Sequence, residues 1–132
     1  ISACLVGSEM CIRDSTTMAG GARWCIQTII ERFPECRVFL CTPIQSGSVS
    51  HNDLNLKKIA VLREICNAFS VPVIDCYSEC GIKAEDEVWE ERGRYLKDGL
   101  HPDVEGQQLM GQYIAKKIQD YLTVVLCSKS LL

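Results

Sequence analysis

Two short apolar runs, each bounded by proline or loop residues, constrain the fold of this chain more than any other feature. Arg37–Thr42 lies between Pro34 and Pro43, and Pro72–Cys76 follows a long helical pattern. Both runs are mainly apolar rather than alternating, which is typical of strands buried on both faces of a parallel sheet. The strands therefore require helices on both sides of the sheet.

Three helical patterns surround these strands and give the order α–β–α–β–α. The first begins at a Thr16 or Thr17 cap and ends at Pro34, although Gly20 and Gly21 favour a start a few residues later. The second covers 53–69 with Asn52 or Asp53 as its cap, and the third covers about 103–122. The expected buried residues of these helices are Met18, Ala22, Cys25, Ile26, Ile29, Ile30 and Phe33, then Ile59, Leu62, Cys66 and Phe69, then Leu109, Tyr113, Ile114, Ile118 and Tyr121.

The two segments that follow the strands are the expected location of a functional site. Pro43–Asn52 is predicted to be a loop, and Tyr77–Leu100 is predicted to be a loop with a short helix at about Asp86–Arg92. In open parallel sheets, ligands bind at the carboxyl ends of the strands. Two parallel strands make an unstable sheet by themselves, so we expect either that the chain is incomplete or that other strands come from elsewhere.

Composition excludes several functional classes. A chain of 132 residues has room for one domain, and its net charge of −3 argues against nucleic-acid binding. The pairs Lys57-Lys58 and Lys116-Lys117 stand beside acidic residues and are predicted to be solvated helix faces. No apolar run reaches the ~18–20 residues of a membrane span, and the start lacks signal-peptide features.

Nine cysteines in an odd, irregular series indicate reduced thiols rather than a disulfide framework. No CxxC pair is available for zinc. Cys25, Cys41 and Cys66 fall on apolar patterns, where cysteine acts as a small hydrophobic residue, and a cytoplasmic location is expected. Pairing of Cys76 with Cys80 stays open as a local exception.

Residues 1–15 do not fit the pattern of the rest. Glu9–Ser15 can be back-translated as GAG ATG TGT ATA AGA GAC AGC, which resembles the transposon end sequence used to prepare sequencing libraries. We therefore expect residues 1–15 to be non-native, residues 16–123 to form the domain, and 124–132 to be unassignable. Ser8 follows a strand-like Leu5-Val6-Gly7, but too little chain separates it from the first helix for a strand–helix–strand unit.

Asp98 and His101 form the chemically informative pair. In a turn, a spacing of three residues brings the aspartate carboxylate to the imidazole Nδ1–H, which fixes the tautomer and leaves Nε2 to act as a base. The alternative is a structural turn in which Gly99 supplies a positive φ beside a helix cap. No further ligands stand at metal-binding spacing, so no metal is predicted.

Three other residues have an open role. His51 is predicted to be a surface loop residue whose loop overhangs the same sheet edge, where it can reach a substrate. Trp89 and Tyr95 are expected to pack rather than to line a pocket, although an acyl or sugar pocket is the alternative.

The motifs Thr42-Pro43-Ile44-Gln45, Val73-Ile74-Asp75 and Tyr95 to Asp103, with Gly106 after them, resemble the SGNH hydrolases, also called the GDSL family. The resemblance covers residues 16–123, and its most specific element is Asp98-Gly99-Leu100-His101-Pro102. It implies a flavodoxin-like α/β/α fold with a five-stranded parallel sheet, of which the two strands here are the last. Asp103 departs from the asparagine common in the family, but both residues cap helices well.

The resemblance implies a carboxylic ester hydrolase that acts on a small-molecule ester without a cofactor. Asp98 and His101 carry over as the acid and base of its Ser-His-Asp triad. The Gly-Asp-Ser and Gly-x-Asn-Asp motifs have no match in this chain, so we expect the 132 residues to be inactive by themselves. The alternatives are a non-catalytic flavodoxin-like binding or signalling module, and a chain without a stable fold of its own. The residues do not indicate which ester is the substrate or the oligomeric state.

Overall fold

A computed structural model of the protein describes residues 17–87 and 93–130, with side chains described up to residue 123. The elements are α1 (Met18–Arg32), β1 (Leu40–Cys41), α2 (Val49–Phe69), β2 (Val73–Ile74), α3 (Cys76–Glu79), a 3-10 turn (Ala84–Asp86) and α4 (Val104–Ser130). The predicted order of three long helices and two strands is confirmed, and the described chain is a mixed α/β protein. The expectations for residues 1–15, for Trp89 and for most of the helix at 86–92 lie outside the described residues.

The first helix begins where its capping residue predicts. The Thr17 side chain accepts a hydrogen bond from the Gly20 N–H at 3.0 Å, and the Phe33 N–H bonds Ile29 O before Pro34. Because the cap satisfies a free N–H of the first turn, the helix starts at Met18. The expectation that Gly20 and Gly21 delay the start was wrong.

The two strands pair in parallel, but they are shorter than predicted. Leu40 N–H donates to Pro72 O at 3.1 Å, and Thr42 N–H donates to Ile74 O at 3.0 Å. Within the described residues the sheet has two strands, so each strand has a single partner. Regular pairing therefore ends after two residues in each run.

The chain divides into two compact units, each with its own buried residues. In the first, whose described parts are 17–40 and 56–73, Ile26, Ile65, Cys66 and Val71 form the core. Much of the predicted stripe of α1 stays exposed, since Met18, Cys25, Ile29, Ile30 and Phe33 are open to solvent. The prediction that these residues are buried was wrong, because no described residue of this unit covers that face.

The second unit comprises 41–55, 74–87 and 93–130 of the described chain. Its buried side chains include Ile74, Cys76, Ile82 and Leu96. Helix α3 packs on α4, where the Tyr113 hydroxyl donates to the Glu79 carboxylate. This helix was missed because Asp75 ends the apolar run and also caps α3, by accepting from Ser78 N–H.

Helix α2 starts at Val49, ahead of its predicted start. Asn52 does not cap it, because its side chain binds both the N–H and the carbonyl of Ser46, at 2.9 and 2.8 Å. Ser48 precedes the helix instead, and its hydroxyl accepts from His51 N–H at 3.4 Å. The loop after β1 is therefore shorter than predicted, and His51 lies in the first helical turn rather than in a loop.

Helix α4 is capped by Asp103, which accepts from Gly106 N–H at 2.9 Å, as its position before the helix predicts. The helix continues past its predicted end to Ser130. Leu109, Tyr113, Ile114 and Ile118 are half-buried, whereas Tyr121 is exposed against expectation. None of the helices in the described residues has the length and apolarity that crossing a membrane requires.

The six described cysteines are free thiols, so Cys76 and Cys80 do not pair. Cys66, Cys76 and Cys80 are buried, and burial raises the pKa of the Cys76 thiol to about 12. Cys25 and Cys41 are exposed. Their prediction as core residues was wrong, because each lies on an element whose outer face has no cover in the described chain.

Candidate active site

The turn from Leu96 to His101 is built around the carboxylate of Asp98. One oxygen, Oδ1, accepts the backbone N–H groups of Leu100 at 2.9 Å and His101 at 2.6 Å. The other, Oδ2, lies 2.6 Å from His101 Nδ1. Gly99 allows the turn because its φ is +76°, and its N–H bonds Leu96 O at 2.9 Å. The predicted contact between Asp98 and the imidazole is confirmed.

The same contacts decide the charge of the pair. The His101 N–H, then the His101 side chain and the Leu100 N–H, hold the pKa of the Asp98 carboxyl well below its usual range. An ionised carboxylate is an acceptor only, so Nδ1 carries the proton in this contact. The His101 side chain is 77% exposed and Asp98 is 55% exposed. Nδ1 is thus occupied while the far edge of the ring, with Nε2, is open to a reacting group.

A surface pocket of about 390 Å³ adjoins this turn. It is lined by Gly47, Ser48, His51, Asp98, Gly99 and Leu100. Gly47 N–H donates to Gly99 O at 2.8 Å and so fastens the loop after β1 to the Asp98 turn. The two segments expected at the carboxyl ends of the strands therefore meet, and His51 faces the pocket that Asp98 lines.

Close approach explains the glycine at position 47. A Cβ there would overlap the backbone carbonyl oxygen of Glu87 and would touch Gly99 Cα. No other residue could keep this backbone in place without a shift of the loop. The sequence indicated a loop at this position but not the contact that requires glycine.

Residues from the two strand ends support the site without entering the pocket. Thr42 Oγ1 donates to Asp75 Oδ1 at 3.4 Å and accepts from Tyr77 N–H at 3.0 Å. Gln45 bonds Tyr77 O and Ala84 N–H, each at 2.9 Å. Thr42, Gln45 and Asp75, which belong to the motifs noted in the sequence, thus connect the loop after β1 to the segment after β2.

Glu87 is the residue that sequence reasoning missed. Its side chain is fully buried, and its carboxylate accepts backbone N–H groups from Tyr95 and Leu96. A glutamate in an acidic stretch gives no sequence signal of burial, since such residues are nearly always exposed. Tyr95 is half-buried, with the Arg94 guanidinium 4.9 Å from its ring centre, which fits its predicted packing role.

Comparison with known proteins gives a structural match but no activity. No protein-family profile matches the chain, and no curated protein matches it. A crystal structure of another protein matches with a TM-score of 0.68 and 27% sequence identity, over 81% of this chain and 53% of that chain. This chain therefore spans about half the length of that protein. The match supports the α/β architecture.

Proposed function

We propose that Asp98 and His101 are the acid and base of a carboxylic ester hydrolase of the SGNH type. The observation that carries the proposal is the 2.6 Å contact of Asp98 Oδ2 with His101 Nδ1, in a turn whose Asp98, Gly99 and Leu100 line a pocket. The nucleophilic serine and the oxyanion donors lie in chain beyond these 132 residues. The match to a protein of about twice the length supports this part of the proposal.

The chemistry follows from the orientation of the imidazole. His101 Nε2 removes the proton from the serine hydroxyl as its oxygen attacks the ester carbonyl. The ionised Asp98 stabilises the imidazolium, which then gives its proton to the leaving alcohol as the C–O bond breaks. Water repeats the cycle on the acyl-enzyme, with His101 again as base, and releases the acid. No cofactor enters these steps.

The finer fold belongs to the same proposal. β1 and β2 are the last two strands of a five-stranded, flavodoxin-like sheet with helices on both faces. Each strand has one partner among the described residues, and Trp24 in α1 and Phe33 just after it are exposed. Additional strands and helices from the remainder of the protein would pair with the sheet and cover that surface.

The decisive test uses the longer gene product that contains this chain, assayed with p-nitrophenyl acetate. We expect esterase activity that His101→Ala lowers by about 10³-fold or more, and that Asp98→Asn lowers by a comparable factor. Asp53→Asn removes the same charge from an exposed helical position and is expected to leave activity unchanged. Full activity in His101→Ala would refute the proposed role of the pair, and a longer gene product without any esterase activity would favour a non-catalytic binding module.

The chain of 132 residues supplies a second test. We expect no enzyme-like turnover of p-nitrophenyl acetate, because the Gly-Asp-Ser motif that carries the nucleophile in the family has no match in this sequence. Turnover at an enzyme-like rate that depends on His101 would place the nucleophile within these residues. That result would contradict the proposal that the nucleophilic serine lies outside these 132 residues.

A further inference from the structure

Glu87 is a fully buried carboxylate that takes no part in the proposed catalytic steps of Asp98 and His101. Its Oε1 accepts from Tyr95 N–H at 2.9 Å, and its Oε2 accepts from the same N–H at 3.1 Å and from Leu96 N–H at 2.8 Å. A buried carboxylate is costly unless its oxygens are hydrogen-bonded. The backbone of two consecutive residues meets that requirement here.

Those two residues also bond the Asp98 turn and the capping residue of the helix that follows it. Leu96 O accepts from Gly99 N–H at 2.9 Å, in the turn itself. Tyr95 O accepts from Asp103 N–H at 2.8 Å, just after His101 and Pro102. The N–H groups of Tyr95 and Leu96 thus point to Glu87, while their carbonyls bind Gly99, between Asp98 and His101, and Asp103, just after the pair.

Packing around Glu87 leaves the carboxylate little freedom. A Cβ at Gly93 would overlap Glu87 Oε2 and Leu96 O, and a Cβ at Gly47 would overlap Glu87 O. Gly47 also donates to Gly99 O. Glu87 therefore lies where the loop after β1 and the Asp98 turn come together. Its side chain bonds the backbone at the start of the Asp98 turn, and its own backbone carbonyl lies against Gly47 in the loop after β1.

We propose that Glu87 is a positioning residue, whose buried carboxylate fixes the Tyr95–Leu96 backbone and thereby holds Asp98 against His101 Nδ1. The importance of this positioning for catalysis rests on the proposed function. The positioning itself is a property of this chain, and it can be measured without any turnover.

The test reads the His101 tautomer by long-range ¹H–¹⁵N NMR in the 132-residue chain. In the unmodified chain at neutral pH, we expect a dominant Nδ1–H form, because the Asp98 carboxylate accepts that proton. Glu87→Gln keeps the size of the side chain but turns one acceptor oxygen into an NH₂ group that faces backbone N–H donors. We expect this variant to give a mixture of tautomers while the amide resonances of residues 17–40 and 56–73 stay in place.

Glu79→Gln is the matched control, since it removes the same charge from an exposed carboxylate bonded to Tyr113 rather than to the turn. It is expected to leave the His101 spectrum unchanged. A folded Glu87→Gln variant with the unmodified tautomer would overturn the proposal. The same mixture of His101 tautomers in Glu79→Gln would also overturn it.

Hydrogen exchange in the unmodified chain decides the matter if Glu87→Gln does not fold. We expect the amides of Tyr95, Leu96, Leu100 and His101 to exchange with one common opening free energy. Unprotected Tyr95 and Leu96 amides, or Leu100 and His101 amides that open independently of them, would overturn the proposal.

Activity separates this inference from the proposed function. If the longer gene product does not hydrolyse esters but the tautomer still depends on Glu87, the proposed function fails and the positioning stands. If it hydrolyses esters and Glu87→Gln changes neither kcat nor the tautomer, the positioning fails and the function stands.

Discussion

At the scale of single residues, Asp98 does two things that are difficult to separate by mutation. Oδ1 closes the turn through two backbone N–H groups, and Oδ2 orients the imidazole. The spacing of Asp98 and His101 predicted the second contact. It gave no sign of Glu87, because the burial of that carboxylate depends on backbone donors that are set by the tertiary fold.

Acid should reveal the lowered pKa of Asp98. Hydrogen bonds to the carboxylate favour its ionised form, so its pKa lies below the ordinary value of 3.8. The resulting stabilisation is fully present above the ordinary pKa and is lost as the pH falls through the lowered, folded-state pKa. We expect the ¹³C shift of the Asp98 carboxyl to titrate at a lower pH in the folded chain than in the urea-unfolded chain. Coincident titrations would contradict the hydrogen-bond pattern.

Gly99→Ala should destabilise the chain because φ at this position is +76°. A side chain in the left-handed region costs about 1–2 kcal/mol. Gly111→Ala is the matched control, since Gly111 lies in α4 with open space where the added methyl group would lie. Helix propensity predicts a gain of about 0.5–1 kcal/mol for that change. Urea unfolding measures both, and equal effects would show that the turn does not need glycine.

At the scale of secondary structure, local capping explains which helix starts could be predicted from the sequence. Thr17 and Asp103 stand directly before their helices. Each side chain accepts a hydrogen bond from the N–H group three residues later, as expected for a capping residue. At α2 the candidates Asn52 and Asp53 competed with Ser48, and Asn52 is engaged by Ser46 instead. That choice depends on a contact outside the helix, which periodicity and capping preferences do not contain.

The start of α2 can be tested by removing each candidate cap. Ser48→Ala should lower the free energy of unfolding by about 1 kcal/mol, because the hydroxyl accepts from His51 N–H at the first turn. Asp53→Ala should change the free energy of unfolding by less than about 0.5 kcal/mol, because Asp53 is an exposed residue inside the helix. Urea denaturation followed by circular dichroism compares them. A larger loss in Asp53→Ala would restore the helix start that the sequence indicated.

At the scale of the whole molecule, one alternative from the sequence was a chain without a stable fold of its own, because two strands leave three helices partly uncovered. The exposed apolar residues of α1 agree with that argument, and Trp24 and Phe33 are 52% and 58% exposed. Such surface binds hydrophobic dyes and favours association. The number of helices and strands in the sequence could indicate that apolar surface would stay exposed. It could not indicate which side chains would form that surface.

Replacing Trp24 and Phe33 by lysine tests whether their face is covered in a longer protein. In the 132-residue chain both side chains are exposed, so the double variant should reduce dye binding and leave the free energy of unfolding within about 0.5 kcal/mol. In a longer protein whose additional strands or helices cover this face, the same change would bury two charges and should cost several kcal/mol. Ile26→Ala is the control, since Ile26 is buried in the core of the first unit and its truncation should cost about 2–5 kcal/mol in both. Equal tolerance of the lysines in both proteins would mean that this face stays open to solvent, and that the remaining strands of the proposed sheet do not lie against it.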